Sequence, residues 1–266
     1  MTGVQTCALP IFGVLPEDFK QIRIFAEQEA RKKKEKIDGC GEVNIFEIYQ
    51  ELPDSIGKRD ELLQLELAME KRYIYINPSV LSLLEYFYER QVPIVLLSDM
   101  YLLPKQLEEL LTSLGFNCGL VKEIIISNQY HTNKASGGLY QVLLDKFPHV
   151  LPKEITHIGD NYLSDVKNAQ KCGIRSVYYR SKDDHGSIYE MERFLRDVGV
   201  PELLSLRKLA SSLSADYPPK DRFWFEFGAN VIGPLLSVFS EWVVDIAIEE
   251  KIPKIYPLMR EGGILT

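Results

Sequence analysis

The chain has 266 residues and a mass of 30.5 kDa, enough for one large domain or two modest ones. A hydrophobic content of 45%, a charged content of 26% and a mean hydropathy of -0.11 exclude collagen-like, disordered and disulfide-scaffold classes. A net charge of -7 argues against nucleic acid and anionic lipid as partners, and the four cysteines have no disulfide-framework or zinc spacing.

Met1–Ile11 (MTGVQTCALPI) lacks the basic start and apolar core of a signal peptide. It matches the translation of a sequencing-library adapter, so residues 1–11 are read as non-native and the native chain as beginning at Phe12 within a longer gene. Pro16 then opens a helix whose first turn carries Glu17 and Asp18 and which runs to the basic stretch Arg31–Lys36, placing charges to suit the dipole. Asp38-Gly39-Cys40-Gly41 breaks the pattern. A short helix over Asn44–Glu51 and a longer one near Ser55–Arg72 follow, and Asn77-Pro78 starts another through Leu81, Leu84 and Tyr88. Residues 12–76 thus read as helical.

The period changes after Tyr88. Val92–Leu97 (VPIVLL) is continuously apolar, as expected of a buried parallel strand. Helix Pro104–Leu114, strand Lys122–Ile126, helix Gly138–Phe147, strand Ile155–Ile158, helix Leu163–Cys172 and strand Ile174–Tyr178 follow. This alternation predicts an α/β fold, a parallel sheet with helices on both faces. Glu190–Gly199 reads as a helix, Leu203–Leu213 as a helical connector and Arg222–Glu250 as a long apolar helical stretch interrupted by Gly228 and Gly233-Pro234. Lys254–Met259 reads as a strand opening a second α/β domain that the chain leaves unfinished. The expected divisions are 1–11, a helical region 12–76, a strand-containing core 77–200, and a connector plus second domain 201–266. No apolar run approaches the roughly 18 residues of a membrane span, and the cytoplasm is the expected location.

Ligands of parallel sheets gather outside the carboxyl ends of the strands. Ser98-Asp99 follows the first strand, Gly159-Asp160-Asn161 follows a later one, and Ser164-Asp165 opens the next helix. Lys134 stands before another helix. Two carboxylates suit an oxygen-preferring cation such as Mg²⁺, while an ammonium and a hydroxyl neutralise phosphoryl oxygens during transfer. Taken singly, Ser98 also fits a cap, Lys134 a surface lysine and Asp165 a first-turn charge. The histidines (131, 149, 157 and 185) have no ligand spacing, and His157 reads as a packed core residue.

The order SDMYL, then Lys134, then HIGDNYLSDVKNAQKCGI resembles the haloacid dehalogenase superfamily over roughly residues 12–197. The tail IGPLLSVF and LMREG resembles a bacterial subgroup of large hydrolases associated with glycosyltransferases or surface polysaccharide synthesis. The resemblance implies a Rossmann-like three-layer core with 12–76 as its cap, and a Mg²⁺-dependent phosphohydrolase acting through a phospho-aspartate on a small phosphorylated substrate such as a sugar phosphate. By it Ser98 and the Asp99 N–H bind the phosphoryl group with Asn161 close by, Lys134 pairs with nucleophile and phosphate, Asp160 ligates Mg²⁺, and Asp165 supports the metal directly or through water. The family's Asp-x-Asp nucleophile motif has no counterpart here. It is expected upstream of Phe12, on a central strand between those ending at Ser98 and Ile158, so this chain is expected to be inactive and poorly stable. Residues Ala8–Phe12 are a candidate substitute strand. The alternatives are a non-catalytic phosphate-binding or scaffold module and, disfavoured by the long helical insertion, a receiver-like domain.

Overall fold

The computed structural model describes residues 16–179, 201–214 and 217–256. The chain divides into two compact units, Met1–Lys182 and Asp183–Thr266. The expectations for Ala8–Phe12 and Glu190–Gly199 lie outside the described residues.

The first unit begins with α1 (Pro16–Asp38), α2 (Ile45–Gln50), α3 (Arg59–Tyr73) and α4 (Pro78–Glu89). Local chemistry sets the starts. Asn44 accepts from the N–H groups of Phe46 and Glu47 while Glu47 accepts from the Asn44 N–H, a reciprocal box that opens α2. Asn77 caps α4 in the same way, ahead of Pro78 at the first helical position. Phe19, Ala26, Ile45, Ile48, Leu62 and Leu63 close a core between α1, α2 and α3. At its centre Arg23 makes a two-pronged ion pair with Glu66, both bonds 3.0 Å, and stands over the rings of Tyr49 and Tyr101.

Four short strands alternate with the remaining helices: β1 (Val95–Ser98), α5 (Pro104–Ser113), β2 (Glu123–Ile126), α6 (Ser127–Tyr130), α7 (Gly138–Lys146), β3 (Thr156–Gly159), α8 (Tyr162–Asn168, continued by Ala169–Lys171) and β4 (Arg175–Tyr178). The fold class is α/β with parallel strands, as expected. The described strands form two parallel pairs, β1 with β2 and β3 with β4, and β1 and β3, between which the sequence reading expects a central strand, do not pair with each other. The register sets Ser98 opposite Ile126 and Gly159 opposite Tyr178, so the carboxyl ends of each pair are level.

The strands are also less buried than an apolar run implies. No residue of β1, β3 or β4 is fully buried, and Ile158, Val177 and Tyr178 are exposed. The helix α7 covers one face: Leu139, Tyr140 and Leu143 pack with Ile125, Ile174, Val95, Leu97 and Ile155. Among the described residues the opposite face of β3 and β4 has no equivalent layer, and their alternate side chains are exposed. A second difference is in α8, whose Tyr162–Asn168 segment is wound more widely than an α-helix. Such turns leave local backbone groups free for other partners and recur at functional sites.

The second unit is helical in its described part: α9 (Pro201–Leu213), α10 (Pro219–Phe227) and α11 (Gly233–Glu249), the last two joined by a wide turn at Gly228–Ile232. Buried Arg207 donates to the Asn230 carbonyl that this turn releases. Lys254–Tyr256 are not a strand, which corrects the expectation for the described part of Lys254–Met259. By length and composition alone, Pro219–Glu249 is apolar enough to cross a membrane, with a mean hydropathy of 1.7 in its most apolar window. Glu241 and Asp245 interrupt it, so it forms no unbroken apolar run.

Candidate functional site

Lys134 joins the two strand pairs. Its backbone N–H donates to both carboxylate oxygens of Asp99, at 3.0 and 3.2 Å, and Asp99 directly follows β1. Its ammonium donates to Asp165 Oδ1 at 2.7 Å, and Asp165 lies in α8 just beyond β3. The side chains of Lys134 and Asp165 are 14% and 3% exposed, so this ion pair is desolvated and directional rather than a screened surface contact. The Asn168 amide adds a tie from α8 to the Ala135 carbonyl at 2.6 Å.

Asp165 has both oxygens engaged. Oδ2 accepts from the Asn161 N–H at 2.9 Å, while Oδ1 also takes the Ser164 hydroxyl at 3.4 Å. Burial works to raise its pKa, but the Lys134 and Asn161 hydrogen bonds outweigh it and hold the carboxyl below the ordinary aspartate range. Gly159 makes this approach possible: a Cβ there would sit 2.5 Å from Asp165 Cγ. The Asn161 side chain accepts from the Leu163 and Ser164 N–H groups and so starts α8 with Asp165 turned inward. For Asp99 the balance is reversed: desolvation raises its pKa, Lys134 lowers it, and the charges of Glu42 and Asp165 raise it further.

Ser98 ends β1 beside Asp99, and among the described residues its hydroxyl has no hydrogen-bond partner. Asp160 is exposed, and its carboxylate likewise has none among the described residues. The geometry therefore joins Asp99, Lys134, Asn161 and Asp165 in one bonded network, with Ser98 and Asp160 one residue away along the backbone. A cation of the Mg²⁺ kind binds through one or two carboxylates plus substrate oxygens. Asp160 has a carboxylate to give. Asp165 has both oxygens spent on nitrogen and hydroxyl donors, which suits support through water or through Lys134. The described residues hold no cluster of three His, Cys, Asp or Glu side chains arranged as a metal cage.

Several contributors escaped the sequence reading. His157 does pack in the core, edge-on to Tyr140 at 5.2 Å, but its Nε2 also lies 3.3 Å from Asp165 Oδ1 without hydrogen-bond alignment. Burial, opposed by Asp165, pushes its pKa below the ordinary histidine value. The Tyr140 hydroxyl donates to the Ser164 carbonyl at 2.9 Å, bracing α8 from α7. Buried Glu42 and Ser127, with half-buried Asn133, form a further group behind the Asp99 and Lys134 loops. The sequence reading placed His157 in the core but gave no hint of its approach to Asp165 or of Tyr140, whose ring meets His157 only in the folded chain.

No protein-family model matches this chain, and no curated protein matches it. Solved structures do. L-2-haloacid dehalogenase from Xanthobacter autotrophicus is similar with a TM-score of 0.49 and 14% identity, over 77% of this chain and 80% of that one. A HAD phosphatase from Thermococcus onnurineus is similar with a TM-score of 0.48 and 16% identity, over 74% of this chain and 88% of that one. At such identity and overlap, neither likeness assigns an activity.

Proposed function

We propose that this chain carries the phosphate- and cation-binding part of a haloacid dehalogenase-type phosphohydrolase acting on a small phosphorylated metabolite such as a sugar phosphate. The observation that supports this best is Lys134, held by Asp99 from one strand pair and by Asp165 from the other. A fixed ammonium, the unengaged Ser98 hydroxyl and the strand-end N–H groups are the donors that three phosphoryl oxygens require. Asp160 would hold Mg²⁺, which when bound neutralises phosphate charge; Asp165 orients Lys134 and supports the metal through water.

The attacking carboxylate is not among the described strand ends. We assign it to a further strand between β1 and β3, whose pairs are separate among the described residues. In the complete reaction its oxygen forms a bond to phosphorus as the ester oxygen leaves with a proton, and water then hydrolyses the acyl phosphate. This chain by itself is therefore expected to bind phosphate without turning esters over. The test is phosphate release from a generic aryl phosphate with Mg²⁺. No release by this chain is expected, and release that disappears in Lys134→Ala would overturn the assignment of the nucleophile elsewhere. Cytoplasmic location and association with glycosyltransferase or polysaccharide machinery remain part of this reading.

A further inference from the structure

We infer that Glu42 is a positioning residue that locks the Asp99 loop to the Lys134 loop, so that the anion affinity of the site depends on a carboxylate from the helical region. This rests on the functional reading above. The helix α1 ends at Asp38, and Gly39 and Gly41, both at φ +75°, turn the chain sharply toward the strands. The turn is tied down by Asp38 Oδ1, which accepts from the Cys40 and Gly41 N–H groups. It delivers Glu42, 8% exposed, behind the two loops.

Each carboxylate oxygen of Glu42 takes one loop. Oε2 accepts from the fully buried Ser127 hydroxyl at 2.6 Å, and that hydroxyl accepts from the N–H of Met100, next to Asp99. Oε1 accepts from the Asn133 amide at 3.0 Å, next to Lys134. The other end of the same amide accepts from the Ser136 N–H at 2.8 Å and closes the turn that presents Lys134. An ionised carboxylate only accepts, so it dictates both orientations: Ser127 must donate to it and keep a lone pair for Met100, and Asn133 must turn its NH₂ inward. Glu42 has no cationic partner among the described residues. A buried carboxylate held by neutral donors beside an anion site costs desolvation.

The experiment uses the full chain and inorganic phosphate with Mg²⁺, by titration calorimetry, together with amide hydrogen exchange at Met100 and Lys134. Glu42→Ala is expected to weaken phosphate binding about tenfold and to speed exchange at both amides together. Glu42→Gln, which can accept from Asn133 and donate to Ser127, should recover most of the affinity and protection. A merely structural glutamate would lower thermal stability without coupling the two amides. Unchanged phosphate binding in Glu42→Ala, where Lys134→Ala loses it, overturns the inference and spares the functional reading. Failure of the unsubstituted chain to bind phosphate, or indifference to Lys134→Ala, overturns the functional reading, and hydrogen exchange then decides the lock by itself: acceleration at both amides supports it, acceleration at one or neither refutes it.

Discussion

Between Phe19 and Leu63 the chain closes a core in which Ile45, Ile48 and Leu62 have no exposed surface, whereas β3 and β4 leave Ile158, Val177 and Tyr178 open to solvent. Both regions belong to one compact unit and are similarly apolar in sequence, so hydrophobic content does not explain the difference. The helical region supplies its own partners: α1, α2 and α3 present apolar stripes to each other, and Leu102 and Leu110 from the β1–α5 stretch fill the remaining space. A strand needs hydrogen-bonded neighbours and a covering layer on each face, and among the described residues each has one neighbour and β3 and β4 have one exposed face. The Lys134 network sits where the well-closed region meets the less closed one. Its loops are held from the helical side by Glu42 and from the strand side by Gly159.

The largest expected effect tests the closed region. Arg23→Ala leaves Glu66 buried without its cationic partner and should cost about 3–5 kcal/mol in urea unfolding. Val177→Thr, a change at an exposed strand position, should fall within about 0.5 kcal/mol. Equal losses at the two sites would erase the contrast. Next in size is Gly159→Ala, whose new Cβ overlaps the Asp165 carboxylate and should cost about 1–3 kcal/mol. Because Asp165 must move, the same change should also abolish its contact with the Asn161 N–H, read as faster exchange of that amide; a protected amide would contradict it.

The smallest effect concerns the turn between the regions. Burial alone would raise the Asp38 pKa, but the Cys40 and Gly41 N–H groups and the charge of His131 outweigh it and leave it lowered from 3.8. A lowered carboxyl stabilises the fold fully above its unfolded value and loses that contribution as pH falls through the lower folded one. Asp38→Asn should therefore lower stability at neutral pH slightly and flatten the acid limb of the stability profile below about pH 4. An unchanged acid limb would show that the turn is not held this way.

Helices were legible because their starts are written locally: Pro16, Asn44 with Glu47, Asn77-Pro78 and Pro104 each act within one turn. The four strands, and the placing of Ser98, Asp160 and Asp165 at or just beyond their ends, were legible for a similar reason, since polar residues at strand ends stand out against apolar runs; the Asp99 carboxylate that takes the Lys134 N–H was not read from the sequence. The register within each pair was not legible, because four-residue strands carry little register information. Glu42 was missed because Asp38-Gly39-Cys40-Gly41 reads only as a break; its value appears once Ser127 and Asn133, more than 80 residues later, are brought to it.

Lys134 is the joint on which the functional account turns, and phosphate calorimetry on the full chain with and without Mg²⁺ tests it most directly. The account predicts binding that strengthens with Mg²⁺, loses that dependence in Asp160→Asn, and falls at least tenfold in Lys134→Ala. Phosphate binding that ignores Mg²⁺ and survives Lys134→Ala would contradict it.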